Sequence, residues 1–116
     1  NAGHPGLVVC QQNGIQVLEK TGMVLGVVGD QVYEASPTVK LEPGDVLFMH
    51  TDGVDEAMSP DRAVFGVERL QQLVGKQRRT GAAANDILVE VERQIRNHVG
   101  SDLLEDDFTM IAVKLT

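Results

Sequence analysis

Three observations predict an α+β fold for this chain of 116 residues, with helices laid over a mostly antiparallel sheet. Short apolar segments broken by turns fill the first half, two stripes of helical period follow, and one apolar segment closes the chain. A hydrophobic content of 42% supports one modest core at this length.

Leu7-Val8-Val9-Cys10 is an apolar run, Asn13-Gly14 is a strong hairpin dipeptide, and Ile15-Gln16-Val17-Leu18 alternates behind it. The first two strands are therefore expected as a β-hairpin. Val32-Tyr33-Glu34-Ala35 and Thr38-Val39-Lys40-Leu41 have the composition of a half-buried ribbon bent near Pro37, and Glu42-Pro43-Gly44-Asp45 reads as a tight turn. From Val46 the chain is apolar on both faces as far as His50, the pattern of a central strand.

The period changes after Gly53. Val54 to Met58 predicts a short helix broken by Ser59-Pro60-Asp61. Val67, Leu70, Leu73 and Val74 fall on one helical stripe, Ile87, Leu88, Val91 and Ile95 on a second, with Thr80-Gly81 between them and Gly100 as a stop. Residues 108–115, almost continuously apolar, predict a final central strand.

Ten basic against seventeen acidic residues give a net charge of −7, which opposes a nucleic-acid backbone as partner and favours cations. An aromatic content of 3%, without Trp, also leaves few platforms for stacking bases. Cys10 is the only cysteine, so no disulfide forms within the chain and a reducing, cytoplasmic setting is expected. No apolar run reaches the roughly 20 residues of a membrane span.

Two acidic turns adjoin the most apolar strands. Thr51-Asp52-Gly53 follows Val46-Leu47-Phe48-Met49-His50, and Asp106-Asp107 precedes Phe108-Thr109-Met110-Ile111-Ala112-Val113. If those strands are antiparallel neighbours, the end of one meets the start of the other, and Asp52 and Asp106 share one rim of the sheet. Carboxylates held there suit a hard divalent cation such as Mn²⁺ or Mg²⁺. The plainer alternatives are that Asp52 caps the helix starting near Val54 and that Asp102, Glu105, Asp106 and Asp107 form a solvated loop.

Four ordered blocks carry a family resemblance: Asn1-Ala2-Gly3-His4-Pro5; Thr21-Gly22-Met23-Val24-Leu25-Gly26-Val27; Leu41-Glu42-Pro43-Gly44-Asp45 running through Thr51-Asp52-Gly53-Val54-Asp55-Glu56-Ala57; and Asp106-Asp107-Phe108-Thr109. Together they resemble the C-terminal half of a bacterial PPM-type metal-dependent protein serine/threonine phosphatase of the SpoIIE-like branch. The resemblance implies a β-sandwich flanked by helices, with two Mn²⁺ or Mg²⁺ ions at one end. It implies hydrolysis of phosphoserine or phosphothreonine by metal-activated water, on a small anti-anti-sigma-type regulator and under an upstream sensory domain. A homodimer is a further assembly this reading admits.

Carried over by position, Asp52 and Asp106 match metal-ligand aspartates, and Asp107 matches a residue that supports the loop. Gly53 would allow close backbone approach, while Thr51, Asp107 and Thr109 would support the ligands by hydrogen bonding. Asp55 stands where the family often has Thr, and Gly6 where a second Pro is common. The family's N-terminal strands, which carry the aspartate bridging the ions and a His-Gly turn, are not among these residues, so the binuclear site is expected to be incomplete within them.

His4 is expected to be structural, His50 to hydrogen-bond locally or reach the rim, His98 to be an ordinary helix-end residue, and Cys10 a small core hydrophobe. Lys76, Arg78 and Arg79 form a basic helix end, read as a solvated cluster or as a docking patch for an acidic protein. Two rival functions remain: a phosphatase-fold binding module without chemistry, and a β-roll sensor of the cupin or cyclic-nucleotide type. The second rests only on the phrase from Leu41 to Phe48; the chain offers it no paired-histidine motif and no arginine in a short phosphate-binding loop, and has too much helix between its last two strands.

Overall fold

A computed structural model describes residues 1–100 and 107–116. Its elements are β1 (Leu7–Gln11), β2 (Gly14–Leu18), β3 (Val46–His50), α1 (Asp52–Asp55), α2 (Val67–Arg79), α3 (Ala84–Val99) and β4 (Met110–Lys114). The strands form one sheet in the order β2-β1-β3-β4, every neighbouring pair antiparallel. The expected hairpin is present, with Gln11 paired to Gly14 at its tip.

Strand alternation divides the side chains between two faces. Val8, Cys10, Val46 and Phe48 point into the core, where Leu70 and Val74 of α2 and Ile87, Val91 and Ile95 of α3 meet them. The three α3 residues are fully buried, each contributing roughly 1.5–3 kcal/mol of hydrophobic stabilisation. Gly100 ends α3 in the left-handed region at φ 72°, where its N–H donates to the Arg96 carbonyl. The opposite face carries Val9, Leu47, Ile111 and Val113; Val9 is buried, whereas Ile111 and Val113 are 48% and 44% exposed.

Four expectations are corrected. The ribbon over 32–41 contains no strand; Val32 is 78% exposed, and the segment is held instead by single ties such as Gln11 Nε2 donating to the Lys40 carbonyl. The short helix begins at Asp52 rather than Val54 and ends at Asp55, because Thr51 is still extended (φ −86°, ψ 162°) and the Glu56 N–H closes the turn on the Asp52 carbonyl. Beyond it the chain bends at Glu56 and turns at Pro60-Asp61, and Met58 bridges Val64. The last strand spans Met110–Lys114 and lies at the edge of the described sheet, with β1 and β3 central.

Among the described residues no helix is long and apolar enough to cross a membrane.

Candidate metal site at the end of the central strands

The site is built from the end of β3 and the start of β4. Their register pairs His50 with Met110, and the ladder runs one rung further: the Thr51 N–H donates to the Thr109 carbonyl (3.1 Å) and the Thr109 N–H to Thr51 Oγ1 (2.9 Å). The Thr51 hydroxyl thus takes the place a backbone carbonyl would have had, releasing the chain to turn into α1. Asp52 is the first residue of that turn, with its side chain exposed; its Oδ1 accepts from the Gly53 N–H at 3.0 Å. Among the described residues it forms no ion pair and leaves carboxylate lone pairs toward solvent.

Gly53 sits against the incoming chain. A Cβ built there would lie 2.5 Å from the Asp107 carbonyl oxygen, closer than two such atoms approach, so only glycine admits this contact. Thr51, Asp52, Gly53, Asp107 and Thr109 are thereby gathered at one margin. Asp106 lies outside the described residues. Among those described, no three His, Cys, Asp or Glu side chains come together at metal-holding range.

Asp52 does not act as the helix cap; Thr51 occupies that position and makes no capping bond through its side chain. His50 is 4% exposed and faces the core, 6.1 Å between ring centres from Phe48. Its Nδ1 lies 3.1 Å from the Thr51 carbonyl and 3.2 Å from Asp55 Oδ1. Both neighbours are oxygen acceptors, an arrangement that favours the Nδ1–H tautomer. The sequence offered one signal for this inward histidine: it shares strand parity with Val46 and Phe48.

The far end of β3 holds a different acidic group. Asp45, 2% exposed, accepts from Gln11 Nε2 (2.9 Å) and the Glu42 N–H (3.0 Å) at Oδ2, and Arg78 lies 3.3 Å from its Oδ1. The Gln11 hydrogen bond, followed by the Glu42 N–H and then Arg78, holds its carboxyl below the usual carboxylate range against the opposing effect of burial. Arg78 is therefore a half-buried partner of Asp45, a correction to the solvated basic cluster expected from sequence. His98 is likewise more than a helix end: its Nε2 donates to the Ala63 carbonyl (2.8 Å), Arg69 donates to its Nδ1 (3.1 Å), and its ring meets Phe65 edge-on. Burial pushes the Cys10 thiol up to about 11, so it stays protonated in the core and offers no soft ligand.

The family model of stage II sporulation protein E (SpoIIE) matches residues 1–116, the whole chain. The chain belongs to the SpoIIE family. It is 32% identical over 114 residues to protein IcfG of Synechocystis sp., a match covering 97% of this chain and 17% of that protein. In three dimensions it is similar to the PP2C phosphatase domain, with a fragment of the regulatory domain, of SpoIIE from Bacillus subtilis; the TM-score is 0.74 at 18% identity, covering 99% of this chain and 32% of that one. The SiaA PP2C domain of Pseudomonas aeruginosa gives 0.75 at 20% identity, covering 98% and 44%. A Mn-presoaked SpoIIE phosphatase domain from B. subtilis gives 0.60 at 18%, covering 98% and 48%. The α+β architecture is thus that of PP2C phosphatase domains, and this SpoIIE-family chain spans less than half of each of these matched proteins.

Proposed function

We propose that this chain contributes Asp52 and Asp106 as metal ligands to a Mn²⁺- or Mg²⁺-dependent phosphatase acting on phosphoserine or phosphothreonine of a regulatory protein. The observation that carries this reading is the rung between Thr51 and Thr109, with the Asp107 backbone pressed on Gly53: it brings the exposed Asp52 carboxylate to the margin where the Asp107 end of β4 arrives. Family membership supports the same reading.

The residues present fit such ions. Asp52 offers hard oxygen donors without a competing cation among the described residues, whereas Cys10 is buried and protonated and His50 turns its Nδ1 inward. When bound, two divalent ions supply an acidified water and neutralise phosphoryl charge. The chain's own part is to fix where that charge sits: Asp52 and Asp106 bind, Gly53 lets the two segments close, and Thr51 and Thr109 hold them in register. The proposed substrate is a phosphorylated anti-anti-sigma-type protein, with an upstream sensory domain setting activity.

Full-length protein supplied with Mn²⁺ and a phosphoserine-bearing regulator is expected to release phosphate, and Asp52→Asn to remove most of that release. Turnover unchanged in the variant would overturn the metal assignment. Partner binding without phosphate release from the unaltered protein would favour the inert binding module.

A further inference from the structure

Helix α1 is four residues long and receives no side-chain cap, so it lacks the length to hold its own geometry. Something outside must set the direction in which Asp52 leaves the strand. The Thr51 carbonyl is the point of convergence: it accepts the Val54 N–H at 3.0 Å and faces His50 Nδ1 at 3.1 Å. That carbonyl belongs to the peptide joining Thr51 to Asp52, so holding it fixes the plane from which Asp52 starts. Asp55 approaches the same ring nitrogen as the Thr51 carbonyl. Its side chain is 19% exposed, and its Oδ1 is buried 3.2 Å from Nδ1 without a well-formed hydrogen bond, because the ring N–H is aimed at Thr51. The Asp55 carbonyl accepts from the Gly66 N–H at 2.9 Å, anchoring the end of the turn.

We propose that His50 and Asp55 are positioning residues for Asp52, gripping the strand-to-helix turn from inside so that its carboxylate points to the rim. Asp52 and Asp55 lie three apart on one helical turn and would repel each other if both faced outward. The Asp55 carboxylate turns in beside the imidazole, 3.2 Å from Nδ1, and leaves Asp52 as the outward group. A buried acceptor this close to a ring N–H fixes the tautomer, as a partner beyond a ligand commonly does. The inference rests on Asp52 being a metal ligand.

Two measurements on the full-length protein test it. Two-bond ¹H–¹⁵N correlation of the His50 ring in the metal-free protein is expected to show Nδ1–H with Nε2 bare; a ring protonated at Nε2 alone would overturn the grip on Thr51. Calorimetric titration with Mn²⁺ is expected to show affinity falling about 10- to 100-fold in His50→Ala, with most of it regained in His50→Gln, whose amide N–H can reach the same carbonyl. Asp55→Asn is expected to weaken affinity in the same direction and, combined with His50→Ala, to add less than its separate effect. If His50→Ala does not fold, His50→Gln and Asp55→Asn carry the comparison. Folded variants within twofold of the unaltered protein would overturn the positioning role alone, whereas absence of Mn²⁺ binding in the unaltered protein would overturn the phosphatase reading and this inference together.

Discussion

Asp45 enters strand β3 and Asp52 leaves it, and the five strand residues between them separate two uses of one side chain. Asp45 is 2% exposed, with both oxygens engaged by Gln11, the Glu42 N–H and Arg78. Asp52 is exposed, with one bond to its neighbouring amide and, among the described residues, no cation. A carboxylate whose lone pairs are consumed inside the fold serves stability, and one whose lone pairs face out is available to a ligand. Composition and turn chemistry do not distinguish them, since Gly44-Asp45 and Asp52-Gly53 are both acidic glycine turns at a strand end. The distinction comes from what packs alongside: α2 brings Arg78 to one end, and α1 brings no cation to the other.

The largest effect expected is on activity. Asp52→Asn should lower phosphate release by at least about 100-fold, more than the 10- to 100-fold usual for residues that merely support a ligand. Its unfolding free energy should stay within about 0.5 kcal/mol of the unaltered protein, as for other surface changes. Urea unfolding beside a phosphate-release assay checks both. A large loss of stability would erase the contrast with Asp45.

Asp45→Ala should do the reverse. It strands Arg78, whose Nε is already buried without a hydrogen-bond partner; breaking a fully buried pair from one side costs about 3–5 kcal/mol, and this half-buried guanidinium puts the loss below that range. Denaturant midpoints should fall accordingly, while Mn²⁺ affinity of the fraction that remains folded should be unchanged.

Much of the fold could be read from sequence because its signals are local. Asn13-Gly14 marks the hairpin, and the 3.6-residue spacing marks the helices: Leu70 and Val74, then Ile87, Val91 and Ile95, are buried, while Leu73 and Leu88 are half-buried and Val67 of the first stripe is 41% exposed. The ribbon over 32–41 failed because alternation alone does not create a partner strand. β1 and β3 each already have two partners, and although β2 and β4 lie at the edges of the described sheet, residues 32–41 pair with neither. The antiparallel meeting of Thr51 with Thr109 followed from two apolar strands flanked by acidic turns. The inward grip of His50 and Asp55, and the pairing of Arg78 with Asp45, depend on contacts between residues that no short motif links.

Gly53→Ala probes the margin itself and should be milder. The added methyl would meet the Asp107 carbonyl at 2.5 Å, and because that atom is backbone it cannot swing aside as a side-chain end would. Relief requires the start of β4 to move away, at a cost of about 1–3 kcal/mol typical of overpacking. Mn²⁺ affinity should fall with it, which separates this variant from Asp45→Ala, where stability falls and affinity does not. Equal affinity in a folded Gly53→Ala protein would mean that the close approach does not set the site.

The smallest effect is the acid response of Asp45. Its folded-state pKa lies below the ordinary value, chiefly through the Gln11 hydrogen bond, so as pH falls the unfolded chain takes up the proton first. The stability this carboxylate contributes is therefore fully present at neutral pH. It begins to drain as pH drops through the usual carboxylate value of about 4, and it is lost once the lower folded value is passed. Asp45→Asn removes that titration, so its stability, lower at neutral pH, should decline less steeply over the same acid interval. Urea midpoints measured from neutral pH down into the acid range check this. Parallel slopes for the two proteins would mean that Asp45 is not held in its charged form by the Gln11 and Arg78 contacts, and the contrast between the two ends of β3 would lose its electrostatic basis.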